Sequence, residues 1–377
     1  MRSIRVGLNL LHARPAIGGG WQYIENVLAA VARFNVDCNF IAYCTEASAE
    51  LVPKDSRFEI RTSRCVTSWQ PVRVLYEQTI LVAIARRDRL DCMHWFAVNR
   101  SLFEIAPAVV TLYDCICLEK GEAIGTMQRQ YLRRMVKFAC GRAQVVAAIS
   151  ESTAQSALRL LPVQAKRVFV VPNPVDERYR PAPVDEVVQF RRQFGLPNQF
   201  WVYVAHPYSH KNHARLLAAY RKFRDRGGDP WPLVLRADRK ADWVSVGKVI
   251  QELGLDNDVL WLPRLSTADI VRLYSAAAVL IFPSLYEGCG QPVMEAMACG
   301  CPVAASDIPT CREFGGSAAF LFDPFSTDAI AGAMQRMSTD AALRERCRGE
   351  GFAMARKYSQ EKAALTLIEA YRQAICS

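Results

Sequence analysis

The chain has 377 residues, of which 51% are hydrophobic and 22% are charged, and its formal charge is +10 at pH 7. This length exceeds one ordinary hydrophobic core and suits two domains, and the composition excludes a disordered chain. No apolar run is long enough to cross a bilayer. The basic residues are not interleaved with aromatic residues in any nucleic-acid-binding motif, so we expect no nucleic-acid partner.

The amino-terminal segment, MRSIRVGLNLL, is interpreted as a first β-strand rather than a secretory signal. Asn9, His12 and Arg14 interrupt its apolar stretch, and no cleavage site of small residues follows. The 13 cysteines show neither a pairing framework nor the spacing of a zinc site. We therefore expect reduced thiols, no bound metal and a cytoplasmic location.

The first part of the chain alternates short β-rich runs with helical patterns, as in a doubly wound α/β domain. A helix is predicted over Trp21–Phe34, and the glycines 18–20 precede it. In such folds the backbone approaches a ligand closely at this point, although a turn without function is the alternative. The predicted strands are Ile4–Leu10, Phe40–Tyr43, Cys92–Phe96, Val109–Tyr113, Val145–Ile149 and Val168–Val171.

A basic helical pattern follows in residues 123–150, which contain no acidic residue. Arg129, Arg133 and Lys137 fall on one helical face, with Arg134 beside them. Like charges four residues apart disfavour a helix unless a negative group pairs with them. A solvated face is one explanation, and contact with a diphosphate-linked lipid acceptor or the inner membrane surface is the other.

A segment rich in proline and charge, 176–198, is predicted as a linker between domains at 1–175 and 199–359. The second domain is again of α/β type. A strand ending near Ala205 is followed by three of the five histidines of the chain and by Lys211. A proline and a serine in this segment indicate a loop, and no carboxylate joins it, so a metal site is not favoured.

Residues 281–306 read IFPSLYEGCGQPVMEAMACGCPVAAS and predict a strand, a loop, a short helix and a second strand. Pro292 suits the first helical turn, and free N–H groups from Gly290 to Val293 would form an anion site. Glu287 lies in the loop and Glu295 one turn inside the helix. Singly, each could be a solvated or helix-dipole glutamate; together, an anion site beside a hydroxyl-binding carboxylate indicates a nucleotide sugar.

The whole string resembles the donor-site signature of the retaining GT-B glycosyltransferases of family 4, with an unusual cysteine at 289. The resemblance implies two Rossmann-like doubly wound domains facing across a cleft, the first (1–175) binding the acceptor and the second (199–359) binding the nucleotide-sugar donor. It also implies that the helix 360–377 packs back on the first domain. It implies a metal-independent hexosyltransferase that moves mannose or a 6-deoxyhexose from a nucleotide diphosphate sugar. The acceptor would be a glycan or a polyprenyl-diphosphate-linked oligosaccharide in cell-surface polysaccharide biosynthesis.

The resemblance also implies roles for individual residues. Lys211 would neutralise the leaving diphosphate, Glu287 would hold the sugar, and Asp114 would complete the catalytic set. Glu295 would hold the ribose, and His210 would assist Lys211 if it is protonated. The other expected donor-binding residues are Gly19, Gly20, Tyr113, Arg264, Leu265, Cys289, Gly290, Gln291 and Pro292.

Tyr113 stands where the family commonly carries a histidine that contacts the donor sugar near its C6 hydroxyl. Either the donor lacks that hydroxyl, as a 6-deoxyhexose does, or the phenol of Tyr113 reaches it. Two other classes of function stay open at this point. They are a nucleotide-sugar epimerase or glycogen-synthase-like polymerase with the GT-B fold, and a non-catalytic scaffold subunit with that fold.

Overall fold

A computed structural model of the chain describes residues 3–14, 18–34, 37–63, 69–119, 126–227, 229, 231–236 and 243–377. The chain divides into two compact units. The first unit consists of Met1–Pro174 and Tyr358–Ser377, and the second of Val175–Lys357. Residues 176–198, predicted as a linker, therefore belong to the second unit.

Each unit is built on one parallel β-sheet within the described residues. The strands of the first sheet are β1 (Ile4–Asn9), β2 (Cys38–Cys44), β3 (Phe58–Thr62), β4 (Cys92–Trp95), β5 (Ala108–Leu112), β6 (Val145–Ala148) and β7 (Val168–Val170). The strands of the second are β8 (Trp201–Val204), β9 (Leu233–Arg236), β10 (Val259–Leu262), β11 (Val279–Phe282), β12 (Val303–Ser306) and β13 (Ala319–Phe322).

The helices follow in chain order. They are α1 (Gly18–Arg33), α2 (Gln70–Gln78), α3 (Ile80–Arg87), α4 (Ile116–Glu119), α5 (Thr126–Arg142), α6 (Glu151–Leu160), α7 (Val184–Phe194), α8 (His213–Asp225), α9 (Trp243–Glu252), α10 (Thr267–Ala276), α11 (Gln291–Ala298), α12 (Pro309–Gly315), α13 (Thr327–Thr339), α14 (Ala341–Arg356) and α15 (Gln360–Cys376). Helices α1 to α6 and α15 belong to the first unit, and α7 to α14 to the second.

Both sheets have the strand order of a doubly wound fold, which confirms the predicted fold class. The first sheet runs β3-β2-β1-β4-β5-β6-β7 and the second β10-β9-β8-β11-β12-β13. The order therefore reverses between β1 and β4 in the first unit and between β8 and β11 in the second. In open α/β sheets, ligands bind outside the carboxyl ends of the strands at such a switch point.

The central strands are buried along their whole length, as β5 and β11 show. Strands covered on both faces read as continuous apolar runs, which is why most of them were predictable. Strand β3 was not predicted, because it lies at the sheet edge and buries Phe58 alone among its residues. Helix α7 lies inside the predicted linker, buries Phe190 and ends at Gly195, whose φ of +64° suits a glycine.

The carboxy-terminal helix α15 packs within the first unit. His94 on β4 is completely buried, and hydrogen bonds of 2.8 Å join its Nδ1 to the Tyr371 hydroxyl and its Nε2 to the Thr111 hydroxyl. Burial lowers the pKa of His94 to about 3, so the ring is neutral at physiological pH. One neutral side chain thus ties α15 to two strands of the first sheet.

Candidate active site

The loops that follow β8 and β11 are joined to each other at the switch point of the second unit. The backbone N–H of Leu285 donates to the carbonyl oxygen of His210 at 2.7 Å. The hydroxyl of Tyr203 on β8 donates to the carbonyl oxygen of Lys211 at 2.7 Å. These bonds hold the backbone of the short turn Ser209–Lys211 beside the signature segment.

Asn212 ties a third loop into the same site. Its φ of +62° is a left-handed conformation that asparagine tolerates better than most residues. Its side-chain amide donates to the carbonyl oxygens of Pro283 at 3.0 Å and Pro324 at 2.9 Å. Asn212 thus fixes the residue after Lys211 against the loops that follow β11 and β13, a role that the motif alone did not reveal.

Lys211 and Glu287 form an ion pair at the centre of this arrangement. Lys211 Nζ lies 2.6 Å from Glu287 Oε1, and the two side chains are 17% and 8% exposed. The Thr310 hydroxyl donates to the carbonyl oxygen of Glu287 at 2.8 Å, which fixes the backbone of the glutamate. Removing one partner of such a pair leaves a nearly buried charge without compensation.

The amino terminus of α11 lies directly after this loop. The N–H groups of Val293 and Met294 both donate to the carbonyl oxygen of Gly290, at 2.9 and 3.1 Å. The prediction that Val293 offers a free N–H is therefore wrong, because a bond within the first turn uses it. Among the described residues, the backbone N–H groups of Gly290 and Gln291 make no hydrogen bond, and the buried Nε2 of Gln291 has no partner.

Cys289 and Gly290 shape the entrance to that helix. Cys289 is half-buried, and its Sγ lies 3.8 Å from Oε1 of Gln291. A Cβ on Gly290 would lie 3.4 Å from the Phe314 side chain, so the residue is packed closely against α12. Pro292 occupies the first turn, as predicted, where the missing N–H costs nothing.

Glu295 lies on α11 and is 5% exposed. Tyr179 is close enough to be influenced by it: burial, and then the charge of the Glu295 carboxylate, raise the pKa of the Tyr179 phenol. Tyr179 lies in the segment predicted as a linker, so nothing in its local sequence linked it to the site. The Glu295 carboxylate thus has a close neighbour within the protein.

Burial disfavours the charged form of two histidines near Lys211, His210 and His213. Burial and the charge of Lys211 lower the pKa of His210, despite the opposing influence of Glu287. Burial lowers the pKa of His213 to about 3. The condition under which His210 would assist Lys211, protonation of its ring, is therefore disfavoured in this loop.

Arg264 and Leu265 follow β10, at the carboxyl ends of the strands of the same sheet. Strand β9 separates β10 from β8. Arg264 is exposed, whereas the Leu265 side chain belongs to the core. The two residues immediately precede Ser266, whose hydroxyl caps α10 by accepting from the N–H of Asp269 at 3.1 Å. Their backbone is therefore well defined by the helix that follows.

The glycines and the tyrosine predicted in the first domain lie together in the first unit. Gly19 and Gly20 are in the first turn of α1 and not in a loop. A Cβ on Gly20 would lie 3.6 Å from the Tyr113 ring, and Tyr23 meets that ring edge-on at 5.5 Å. The buried Tyr113 hydroxyl has no hydrogen-bond partner in the part of the chain that the structure describes.

Asp114 lies two residues before the first residue of the short helix α4. Its Oδ1 accepts the N–H of Ile116 at 2.9 Å, which is a capping interaction within the chain. Asp114 is half-buried at the carboxyl end of β5, one residue beyond Tyr113. An oxygen of Asp114 thus accepts a hydrogen bond just before α4, whereas the Tyr113 hydroxyl has no hydrogen-bond partner among the described residues.

The basic pattern forms helix α5, although the predicted stripe of charges is not uniformly exposed. Arg134 and Lys137 are exposed, whereas Arg129 and Arg133 are half-buried. Met127, at the start of the helix, is 87% exposed. No helix in the described part of the chain combines the length and apolar character needed to cross a bilayer.

Comparison with solved structures identifies the class of the fold. The chain superimposes on a glycosyltransferase from Rickettsia africae with a TM-score of 0.75, 16% identity and 99% coverage of both chains. It superimposes on Anabaena HepE in complex with UDP-glucose with a TM-score of 0.76 and 19% identity, covering 97% of this chain and 98% of that one. The two doubly wound units are those of the GT-B fold.

Sequence comparison then identifies the family. A profile described as Glycosyltransferase Family 4 matches residues 17–179, and one described as Glycosyl transferases group 1 matches residues 188–354. The chain belongs to glycosyltransferase family 4, as its donor-site motif predicted, and is an enzyme of the glycosyltransferase class.

Two relatives from Escherichia coli are mannosyltransferases. The O-antigen chain mannosyltransferase B is 26% identical over 266 residues, which is 70% of either chain. The serotype-specific mannosyltransferase WbdA is 25% identical over 277 residues, which is 70% of this chain but 34% of that protein. This chain therefore corresponds to about one third of the longer relative.

Proposed function

We propose that this enzyme is a retaining hexosyltransferase that moves mannose or a 6-deoxyhexose from a nucleotide diphosphate sugar to a glycan or a polyprenyl-diphosphate-linked oligosaccharide. The observation that carries the proposal is the Lys211–Glu287 pair beside the amino terminus of α11. Lys211 and the backbone donors at the start of α11 can bind a diphosphate, and Glu287 offers a carboxylate to sugar hydroxyls.

Lys211 and the N–H groups of Gly290 and Gln291 act on the charge that develops as the sugar–phosphate bond breaks. Donors placed in advance at a developing negative charge stabilise the transition state more than the ground state. In the mechanism that the family resemblance implies, the leaving phosphate oxygen accepts the proton of the acceptor hydroxyl. The protein then needs no covalent nucleophile, and orientation supplies much of the acceleration.

Glu287 and Glu295 read different parts of the donor. Glu287 holds hydroxyls of the transferred sugar, and Glu295 holds the ribose hydroxyls. The base lies over the backbone of Arg264 and Leu265. No group of three or more potential metal ligands occurs among the described residues.

The sugar is proposed from two observations. The E. coli relatives named above are mannosyltransferases, which favours mannose as the transferred hexose and surface polysaccharide as the product. The unpaired Tyr113 hydroxyl supports the interpretation that the phenol contacts the 6-hydroxyl in place of the histidine usual in the family. A 6-deoxyhexose donor would leave this hydroxyl without its ligand.

Calorimetric titration with UDP-, GDP- and dTDP-linked hexoses tests the donor class. We expect one base to be bound, and Lys211→Ala to reduce turnover more than ground-state affinity. Asp328→Asn is the matched control, since it removes one charge of an exposed ion pair with Lys222 in the same unit. Absence of binding by every donor, or unchanged kinetics in Lys211→Ala, would contradict the assignment.

Tyr113→Phe tests the sugar. Loss of one hydrogen bond costs about 1 kcal/mol, so turnover of a mannose donor should fall about fivefold. A matched 6-deoxy donor should be unaffected. Equal effects on both donors would remove the proposed contact with the 6-hydroxyl.

The acceptor side of the proposal includes peripheral contact of α5 with the cytoplasmic face of the membrane. The exposed Arg134 and Lys137 next to the exposed Met127 support it, because basic and apolar side chains on one helix attract anionic lipid surfaces. Flotation with phosphatidylglycerol vesicles should capture the wild type, and Arg134→Glu should release it. Equal flotation of the two proteins would reject the contact.

A further inference from the structure

A cavity of about 270 Å³ lies in the second unit, on the side of the sheet away from the candidate active site. Its walls come from α7, from α14 and from the carboxy-terminal ends of α10 and α11, and they include Val187, Ala277, Gly300 and Phe352. We call this space the α7 cavity. Ala277 and Gly300 shortly precede β11 and β12, so the cavity lies at the amino ends of these strands. The eight residues of α11, which span about 12 Å, separate it from the N–H groups at the start of that helix.

The walls of the α7 cavity are mostly apolar. Two valines of α7 continue them outward, since Val184 is 80% exposed and Val188 is 38% exposed. The hydroxyl of Ser275 is already used, because it accepts from the N–H of Ala182 at 3.0 Å and donates to a backbone carbonyl oxygen at 2.8 Å. The described residues that line the cavity include no aspartate or glutamate, and burial raises the pKa of the Cys299 thiol, which keeps it neutral. A sugar or a nucleotide would therefore leave most of its polar groups without partners here.

Two arginines line the same cavity, and each binds a carbonyl oxygen at the end of a helix. Nη2 of Arg191 donates to the carbonyl oxygen of Ala276 at 2.6 Å. Nε of Arg348 donates to the carbonyl oxygen of Gly300 at 3.0 Å. A helix end carries about half a negative charge, so two full positive charges leave the cavity with a positive potential.

Both arginines retain donors that an anion can use. Nη1 of Arg191 makes no hydrogen bond with the described residues and, unlike the unpaired Nε, is not closed to solvent. Burial lowers the pKa of Arg191 without an opposing carboxylate, so this half-buried charge lacks a negative partner. Nη1 of Arg348 lies 2.5 Å from a carboxylate oxygen of Glu345, but Glu345 is 69% exposed and a pair so exposed is weak. An anion that reaches both guanidinium groups therefore meets little competition.

The volume of the α7 cavity limits the size of its ligand. The space of about 270 Å³ corresponds to about nine groups of the size of a water molecule, at about 30 Å³ each. An inorganic anion would leave the apolar walls without contacts, and a neutral hydrocarbon would leave Arg191 without a partner. A short hydrocarbon chain that ends in one anionic group satisfies both parts of the cavity.

We propose that the α7 cavity binds a small amphiphile, a hydrocarbon chain of about eight carbons that ends in a carboxylate or a phosphate. The anionic group pairs with Arg191 and Arg348, and the chain lies against the valines of α7 and the ring of Phe352. The cavity shares no residue with the proposed donor site, so this inference does not rest on the proposed function.

Titration calorimetry of the full chain with octanoate and octyl phosphate tests the proposal, and the tighter of the two identifies the preferred anionic group. Loss of a hydrogen bond between charged groups should weaken its binding about tenfold or more in Arg191→Met and in Arg348→Met. Arg192→Met is the matched control, because Arg192 is an exposed arginine of α7 that does not line the cavity. It should bind the amphiphile as the wild type does.

Two further comparisons separate the cavity from other places of binding. Each methylene removed from the chain should weaken binding about fourfold, and chains longer than about ten carbons should bind no more tightly, because the cavity is full. Octanol, which lacks the charge, should bind about tenfold or more weakly than octanoate. Saturating UDP should not displace octanoate, since the donor site lies at the other end of α11.

Thermal unfolding of each variant is measured alongside. Arg348 is 44% exposed, so its replacement is the milder change and keeps the test decisive if Arg191→Met does not fold. Absence of binding by both amphiphiles, or equal binding by the wild type and a folded Arg348→Met, would overturn the inference. So would displacement by UDP, equal binding of octanol, or an affinity that keeps rising with chain length.

Discussion

Replacing Glu287 by glutamine should have opposite effects on nucleotide affinity and on turnover. In the structure, Lys211 is engaged by Glu287 at 2.6 Å. A diphosphate that reaches Lys211 must compete with this carboxylate and also approach its negative charge. Glu287→Gln removes both obstacles for a nucleoside diphosphate, but it also removes the carboxylate that we assign to the sugar.

The magnitude follows from the geometry. An oxyanion that contacts Lys211 from its other side would lie about 5 Å from Glu287 Oε1, where two unit charges repel by about 3 kcal/mol at an effective dielectric constant of about 20. Both side chains retain some exposure, so solvent screening reduces this repulsion, and we expect a net effect of about 1 kcal/mol. Glu287→Gln should therefore bind a nucleoside diphosphate about fivefold more tightly. Lys211→Ala should bind it more weakly.

Titration calorimetry with UDP and GDP measures the effect, and steady-state transfer with the matching sugar donor measures turnover. The control is Asp328→Asn, which removes a negative charge in the same unit from a residue that is 61% exposed. It separates the local effect from a change in net charge. If Glu287→Gln bound the diphosphate no more tightly than the wild type, the idea of competition for Lys211 would be refuted.

Three further predictions concern buried groups. Glu295→Ala should weaken UDP binding by about tenfold or more, and unchanged affinity in calorimetry would remove its role at the ribose. Burial raises the pKa of Glu77 to about 7, so the stability it gives as a neutral acid is complete below about pH 4.5 and is lost as the pH rises through 7. In denaturant titrations of the first unit, the free energy of unfolding of the wild type should therefore fall by about 3 kcal/mol relative to that of Glu77→Gln between pH 4.5 and pH 8. Parallel pH profiles of the two proteins would contradict this. In the Glu77→Gln background, the two buried histidines His12 and His94 should lower the free energy of unfolding by about 3 kcal/mol per pH unit below pH 6.5, because burial lowers both pKa values to about 3. A flat profile in that range would show that these rings are protonated in the folded state.

Features that depend only on a short stretch of sequence could be predicted. The apolar runs of β11 and β12 and the loop and helix between them were read directly from residues 281–306. The proline of α11 and the two glutamates came from the same stretch. Local sequence also implied a free N–H at Val293, and only the bond to Gly290 within the first turn shows that it is used.

Features produced by tertiary packing were not predictable. Glu77 and Asn9 are separated by 68 positions, and the strand order brings them together. Tyr179 meets Glu295 for the same reason, although its own segment reads as a linker. The glycines at 18–20 suggested a loop, but they begin α1, where helical bonds and the packing of α1 outweigh the weak propensity of glycine.

The switch points of the two units carry different polar groups. In the second unit, the switch point carries Lys211 and the amino terminus of a helix, both of which favour a diphosphate. In the first unit, the equivalent position carries Glu77, which is held by two amides and lies 3.8 Å from the Arg73 guanidinium, so each switch point has one carboxylate and one cation. The amino terminus of α11 therefore sets the second switch point apart, and it favours a diphosphate there. A single added cation should not replace this arrangement, so Glu77→Lys in the first unit should not restore the UDP affinity that Lys211→Ala removes from the second, as measured by titration calorimetry.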